Sequence, residues 1–148
     1  MDVFRRRELK FLINEEQRKL IEQKLPTYMI PDHHGVSTIC NLYYDTPDFR
    51  LIRRSLEHPV YKEKMRLRSY GQAKPGADVF LELKKKYKGV VYKRRIRVTE
   101  KEADGFMEYQ IPLRTVSQIS NEIQYFRDFY GSLKPRVYLC YDREACTA

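Results

Sequence analysis

Lysines and arginines at alternating positions are the side chains with the clearest chemical potential in this sequence. Within residues 61–70, Lys62, Lys64, Arg66 and Arg68 occur at every second position. Side chains of a β-strand alternate between its two faces, so a strand would carry all four cations on one face. A helix would scatter them around its axis. The pattern therefore predicts a basic strand face that could hold an anion with several negative charges.

Residues 79–98 are predicted to form a hairpin of two strands joined by a short turn of Lys, Tyr and Gly residues, and the rest of the chain is organised around this hairpin. Normal pairing would place Glu82, Lys84, Lys93 and Arg95 together on one face. Like charges set side by side destabilise a sheet, and a bound anion would remove that penalty. The competing interpretation is the solvated face of an ordinary hairpin, where cations protect against edge aggregation.

Shorter polar stripes are predicted on the first and last strands. One consists of Arg6, Glu8 and Lys10, and the other of Tyr141 and Arg143. A sheet curled so that these stripes face one another would form a basic tunnel or cleft. The charge buried there would need compensation, which a polyphosphate and a metal ion could supply.

The apolar periodicity and the turn residues predict an α+β domain with helices packed outside a sheet. Strands are predicted at 4–13, 36–44, 61–70 and 136–143, with the two strands of the hairpin within 79–98, and helices at about 15–25, 49–55, from 100 onward, and 116–130.

Several local details accompany this assignment. Pro47 is expected at the first position of the second helix, and Thr99 and Glu102 are expected to form a capping box. The first helix is expected to pack on the outside of the sheet. His33 and His34 are expected in a loop and are weak candidates for a metal or catalytic role.

Composition indicates the kind of molecule that the chain binds and the cellular compartment in which it is expected. The 148 residues include 29 Lys and Arg against 20 Asp and Glu, a net charge of +9 that indicates an anionic partner. Cys40, Cys140 and Cys146 show neither a disulfide framework nor a zinc-binding spacing, which fits a reducing cytoplasm. No stretch is long and apolar enough to predict a transmembrane helix.

Several short segments of the sequence, taken in order, resemble the polyphosphate polymerase domain of the vacuolar transporter chaperone (VTC) family, within the triphosphate tunnel metalloenzymes. They span essentially the whole chain and read RRELKFLI, YYDTPDF, MRLRSYG, VFLELKKKYKG with VVYKRR, and YDRE. The resemblance implies an antiparallel β-tunnel whose lumen binds triphosphate and polyphosphate. It also implies transfer of the γ-phosphoryl group of ATP to a polyphosphate chain, with Mn²⁺ or Mg²⁺ as cofactor.

The same resemblance implies roles for particular residues. Phosphate-binding residues would be Lys10, Arg66, Arg68, Lys84, Lys93, Arg95, Tyr141 and Arg143, with Lys10, Arg66, Arg68 and Lys84 also assigned to catalysis. Glu8 and Glu82 are candidate metal ligands, although pairing of Glu82 with neighbouring cations is the favoured interpretation. Arg6 stands where a Glu-x-Glu-x-Lys strand would have its first Glu. This departure is typical of the VTC branch and argues against the triphosphatase and adenylate cyclase branches.

Residues 1–148 are interpreted as a single domain that stops before the later tunnel strands of the family, with their metal-binding Glu. An incomplete tunnel leaves open strand edges, so a homodimer or a domain-swapped assembly is expected. A non-catalytic module that binds polyphosphate or phosphate is the main alternative function. Nucleic-acid binding is less favoured, because the cations alternate along strands instead of clustering on a helix or loop.

Overall fold

The computed structural model describes residues 8–148 of the chain. Its α-helices are α1 (Glu15–Lys24), α2 (Arg50–Leu56), α3 (Glu100–Tyr109) and α4 (Gln118–Tyr130), and a short 3₁₀ turn at Leu25–Thr27 follows α1. Its strands are β1 (Ile30–Asp45), β2 (Tyr61–Tyr70), β3 (Asp78–Tyr87), β4 (Val90–Thr99) and β5 (Lys134–Thr147). The predicted α+β class is confirmed.

All five strands belong to one antiparallel sheet. Its order is β4-β3-β2-β1-β5, so β4 and β5 form the two edges within the described residues. The β3–β4 connection is a two-residue turn in which Lys88 and Gly89 have φ angles of 46° and 79°. Positive φ at both positions is the type I′ geometry, whose twist matches the flanking strands. The predicted hairpin is confirmed.

The two faces of the sheet differ sharply in chemistry. One face carries the core, in which buried apolar side chains of β2, β3 and β4 pack against α3 and α4. Its members include Met65, Val79, Leu81, Leu83, Val98, Phe106 and Ile123. Because side chains alternate along a strand, the intervening residues of β2, β3 and β4 lie on the opposite, charged face. The core therefore determines which charged residues can meet.

Asp45, at the end of β1, positions α2. Its Oδ1 accepts hydrogen bonds from the backbone N–H groups of Thr46 and Leu51, and its Oδ2 accepts one from the N–H of Ile52. Phe49, the residue that precedes α2, has no capping side-chain bond and a φ angle of 56°. A buried carboxylate four residues before Phe49 thus satisfies the helix start. The prediction that Pro47 opens the helix is wrong, because Pro47 lies in the preceding turn and α2 begins at Arg50.

The amino-terminal part of the chain differs most from expectation. Residues 8–13 of the predicted first strand form no regular secondary structure, and residues 1–7 lie outside the described part. Asn14 caps α1 in a capping box with Gln17, as the sequence indicated for the N-cap, but α1 buries none of its residues. The prediction that this helix packs on the sheet is therefore wrong. Alternation of charge and apolarity alone could not distinguish a strand from an extended segment.

Other elements shift by smaller amounts. His33 and His34 lie within β1 and are exposed, so their assignment to a loop is wrong. Strand β5 extends well beyond the predicted 136–143 at its carboxyl-terminal end. Thr99 caps α3 by accepting a hydrogen bond from the Glu102 N–H, but the Glu102 carboxylate accepts from the N–H of Arg114 and closes no capping box. No helix within residues 8–148 is long and apolar enough to cross a membrane.

Candidate functional site

A single buried carboxylate organises the charged face. Glu82 is 1% exposed, and four cations surround it. Its Oε2 lies 2.6 Å from Nε of Arg66 and 3.9 Å from Nε of Arg68. Its Oε1 lies 3.4 Å from Nζ of Lys93 and 3.6 Å from Nε of Arg95. We call these five residues the Glu82 cluster, and together they carry a net charge of +3.

Strand register brings the Glu82 cluster together. Glu82 of β3 pairs directly with Arg66 of β2 and with Arg95 of β4. Arg68 and Lys93 lie on the same face, one alternation along their strands. Direct and diagonal neighbours on one face of an antiparallel sheet are within reach of long side chains. The prediction that Glu82, Lys84, Lys93 and Arg95 share a face is confirmed.

Polar side chains of β1 and β5 hold the two arginines of β2. Nη1 of Arg66 donates to the hydroxyl of Tyr43 at 3.1 Å. Nε of Arg68 donates to Oδ1 of Asn41 at 2.9 Å, and its Nη2 donates to the hydroxyl of Tyr141 at 3.3 Å. Arg68 is only 5% exposed, so these bonds fix a nearly buried guanidinium. Tyr141 therefore reaches the cluster through Arg68.

Arg95 is held by aromatic groups on the other side of the cluster. Its Nη2 donates to the hydroxyl of Tyr70 at 3.0 Å, and its guanidinium carbon lies 3.5 Å from the centre of the Phe80 ring. A guanidinium over an aromatic face is attracted by the ring quadrupole. Nε of Arg95 and Oε1 of Glu82 are nevertheless buried without a hydrogen-bond partner. Hydrogen bonding is therefore less complete around Arg95 than around Arg66.

Three lysines form a row beside the cluster. Lys84 pairs across the sheet with Lys64 on one side and Lys93 on the other, and we call these residues the lysine row. Burial lowers the pKa of all three ammonium groups, and neighbouring cations lower it further, while Glu82 opposes the shift at Lys93. Within residues 8–148, no carboxylate lies within 4.0 Å of the Lys64 or Lys84 ammonium. The row is thus partly desolvated positive charge that an anion would stabilise.

The electrostatics of Glu82 follow from the same arrangement. Burial acts to raise the pKa of its carboxyl group, but Arg66, Lys93 and Arg68 outweigh burial and hold this pKa below the ordinary value of 4.5. Glu82 is therefore ionised at neutral pH. It offsets only part of the surrounding charge, since four cations share one anion.

A metal ion does not fit the Glu82 carboxylate. Divalent metals take several oxygen ligands, whereas each Glu82 oxygen faces two cationic groups. Glu8 is exposed and forms an ion pair with Lys10 at 3.7 Å. The described residues do contain one group of three potential ligands, Asp32, His33 and His34, at the start of β1. None of these three is bonded to the Glu82 cluster.

The remaining predicted residues lie around this centre. Glu8 and Lys10 are outside the sheet but close enough to Lys84 to affect its pKa, Glu8 raising it and Lys10 lowering it. Arg143 is exposed on β5, two residues beyond Tyr141. Sequence reasoning did not select Asn41, Tyr43 or Tyr70 for the site. Their signal was present in the alternation of the strands, where each falls on the charged face.

Comparison with known proteins places the chain in a family. No curated protein matches it. A crystal structure of a "putative adenylate cyclase" from Bacillus halodurans is similar in fold, with a TM-score of 0.58 and 18% sequence identity over 89% of this chain. The chain spans 61% of that structure. A model of the VTC domain matches residues 5–148. The chain therefore belongs to the VTC domain family.

Proposed function

We propose that the charged face binds the phosphates of ATP and of polyphosphate, and that the domain transfers the γ-phosphoryl group of ATP to the end of a polyphosphate chain. The observation that carries this proposal is the partly buried excess of cations. Four cations share Glu82, while Lys64 and Lys84 have no carboxylate partner within residues 8–148. Polyphosphate has one negative charge or more on each phosphorus and is flexible enough to follow a row of cations.

The two kinds of cation would divide the work. Lys64, Lys84 and Lys93 offer compact charges that can move with a polymer. Arg66 offers a planar group that can contact two phosphate oxygens, with one of its donors already aligned by Tyr43. Arg68 is nearly buried, so its role is to hold Asn41 and Tyr141 in place and to add positive potential. Phosphoryl transfer needs mainly positioning and neutralisation of the phosphates, which such a face can supply.

The Mn²⁺ or Mg²⁺ expected from the resemblance has no ligand set around Glu82. Mg²⁺ is commonly bound by one or two carboxylates together with the phosphates of a substrate. We therefore propose that the metal ion enters with the phosphates of ATP, and we assign no step to Glu82 as a ligand. Glu8, whose charge raises the pKa of Lys84, is a carboxylate beside the lysine row.

Calorimetric titration with tripolyphosphate tests the binding part of the proposal. The double variant Lys64→Ala/Lys84→Ala removes two cations that make no ion pair within residues 8–148, so its fold should survive. We expect its affinity to fall about 100-fold or more, because each charge-assisted contact contributes roughly 1.5–3 kcal/mol. The control Lys19→Ala/Lys24→Ala removes the same charge from the exposed helix α1 and should bind as the unmodified chain does. If both variants lost the same affinity for tripolyphosphate, the loss would be an effect of net charge and not of the lysine row.

Two further assays separate the alternatives. Incubation with ATP and Mn²⁺, followed by gel analysis of polyphosphate, distinguishes a polymerase from a non-catalytic phosphate-binding module. Tripolyphosphate binding without any polymer would favour the module. Competition by single-stranded DNA at equal phosphate concentration would instead favour nucleic-acid binding.

We also propose that two copies of the chain associate through the sheet edges, as a homodimer or by domain swapping, in the cytoplasm. The edge strand β5 runs over Lys134–Thr147 with exposed apolar side chains that include Val137, Tyr138 and Leu139. Long exposed edge strands tend to pair with another chain. Sedimentation should give twice the monomer mass, and a purely monomeric species over a wide concentration range would contradict this assembly.

A further inference from the structure

Two thiols meet on the side of the sheet opposite the Glu82 cluster. Cys40 of β1 and Cys140 of β5 are direct cross-strand partners, and their sulfur atoms lie 2.9 Å apart. Both are free cysteines, Cys40 being buried and Cys140 exposed. We propose that Cys40 and Cys140 form a reversible disulfide that fastens the edge strand β5 to the sheet. Cys146, the third cysteine, takes no part.

The surroundings of the pair allow the chemistry. Cys40 borders a groove of about 410 Å³ between the sheet and α3, which admits a small oxidant, and Cys140 is exposed on the same face. Hydrogen bonds from Cys140 and then Tyr138 lower the pKa of the Cys40 thiol, whereas the hydrogen bond with Cys40 raises the pKa of the Cys140 thiol. A thiolate is the nucleophile in both steps of disulfide formation. The strand register already places the two thiols side by side.

With hydrogen peroxide as oxidant the reaction balances. The Cys40 thiolate attacks one peroxide oxygen, the O–O bond breaks, and Cys40 becomes a sulfenic acid as hydroxide leaves. The Cys140 thiolate then attacks the Cys40 sulfur, the S–O bond breaks, and a second hydroxide leaves. The two thiol protons convert both hydroxides to water. Overall, two thiols lose two electrons and one peroxide is reduced to two water molecules.

The disulfide would act on the strand that carries Tyr141. Asn41 follows Cys40 and Tyr141 follows Cys140, so both side chains lie on the charged face of the sheet. There each accepts a hydrogen bond from Arg68. Strand β5 pairs only with β1 among the described strands, so its other edge lacks a neighbour. A covalent link at Cys140 would keep β5 paired with β1. It would therefore hold Tyr141 close to Arg68 when β5 would otherwise detach from β1. The redox state of the thiols is thereby linked to the order of the charged face.

Thiol counting with mass spectrometry tests this inference independently of any phosphate binding. After mild peroxide treatment, alkylation should find one thiol in place of three, and peptide mapping should recover a Cys40–Cys140 link within one chain. Oxidation should raise the melting temperature by about 5 °C or more and slow amide exchange in β5, because the link closes a loop of about 100 residues. Dithiothreitol should reverse all of these changes.

Matched variants sharpen the result. Cys146→Ser should retain the full response, whereas Cys140→Ser, a change at an exposed position, should show no rise in melting temperature. Three remaining thiols, a sulfinic acid at Cys40, or a link between two chains would each overturn the proposal. If the chain did not bind tripolyphosphate but still formed the Cys40–Cys140 disulfide, the proposed function would be refuted and the disulfide proposal would stand.

Discussion

Replacement of Glu82 by Gln separates the stability of the charged face from its function. The change keeps the shape of the side chain but removes the one negative charge that Arg66, Arg68, Lys93 and Arg95 share. The net charge of the cluster rises from +3 to +4. We therefore expect two effects of opposite sign, a less stable chain and tighter binding of tripolyphosphate.

The size of the stability effect follows from burial. Removing one partner of a buried ion pair commonly costs about 3–5 kcal/mol. Arg66 and Arg68 are largely buried, but the side chains of Lys93 and Arg95 are 44% and 33% exposed, so water screens part of the uncompensated charge. The amide oxygen of Gln can still accept a hydrogen bond from Arg66. We therefore expect a loss of about 2–3 kcal/mol in the free energy of unfolding.

Urea unfolding and calorimetry measure the two effects on one preparation. Without phosphate, Glu82→Gln should lower the unfolding free energy by the amount above, and saturating tripolyphosphate should restore most of it. The affinity for tripolyphosphate should rise about ten-fold, since one more cation becomes available for a charge-assisted contact. Glu122→Gln is the matched control, because Glu122 is partly buried and also pairs with two cations, Arg94 and Lys85, but on the opposite face. It should leave the affinity unchanged.

One outcome would refute the reasoning. If Glu82→Gln weakened tripolyphosphate binding while the chain stayed folded, Glu82 would contribute directly to the site, as a metal ligand or as an acceptor for a protonated phosphate. Repeating the titration with Mn²⁺ would distinguish these two roles. Unchanged stability would show that solvent already screens the four cations.

Three other predictions follow from the geometry. The folded-state pKa of Glu82 lies below 4.5, so its ionised carboxylate stabilises the folded chain above pH 4.5. This stabilisation is lost as the pH falls through the folded-state pKa. Acid unfolding of Glu82→Gln should therefore depend less on pH. The folded-state pKa values of Lys64 and Lys84 lie below 10.5, so the unfolded chain binds more protons between the two values. Unfolding free energy should therefore rise with pH in that alkaline window, and Lys64→Ala/Lys84→Ala should remove part of this rise. Asp45→Asn should cost about 1–3 kcal/mol, measured by urea unfolding, because the buried carboxylate serves the N–H groups of Leu51 and Ile52.

The alternation of residue types along the strands was the sequence feature that best predicted the strands of this fold. Residues 61–70 form β2 with the predicted bounds, and the 79–98 hairpin differs by one residue at each end. Most positions in both segments alternate, so one face is mainly apolar and the other mainly charged, although Glu63 and Arg94 interrupt the apolar face and Phe80 the charged one. The same reasoning failed at residues 8–13, where Glu8 and Lys10 alternate with apolar residues until Leu12 interrupts the pattern. An isolated segment gains nothing from alternation unless a neighbouring strand supplies its hydrogen bonds, and that neighbour is not encoded locally.

Sequence by itself determined the class of the fold, the basic stripes and the resemblance to the VTC domain, because these depend on residue types at fixed spacing. Only the tertiary structure decided that Glu82 is a shared counterion of four cations, because that depends on the register of β2, β3 and β4 together. It also decided that Cys40 meets Cys140, which are separated by 100 positions in the chain. Spacing shows which side chains share a strand face, whereas the pairing of distant strands decides which of them touch.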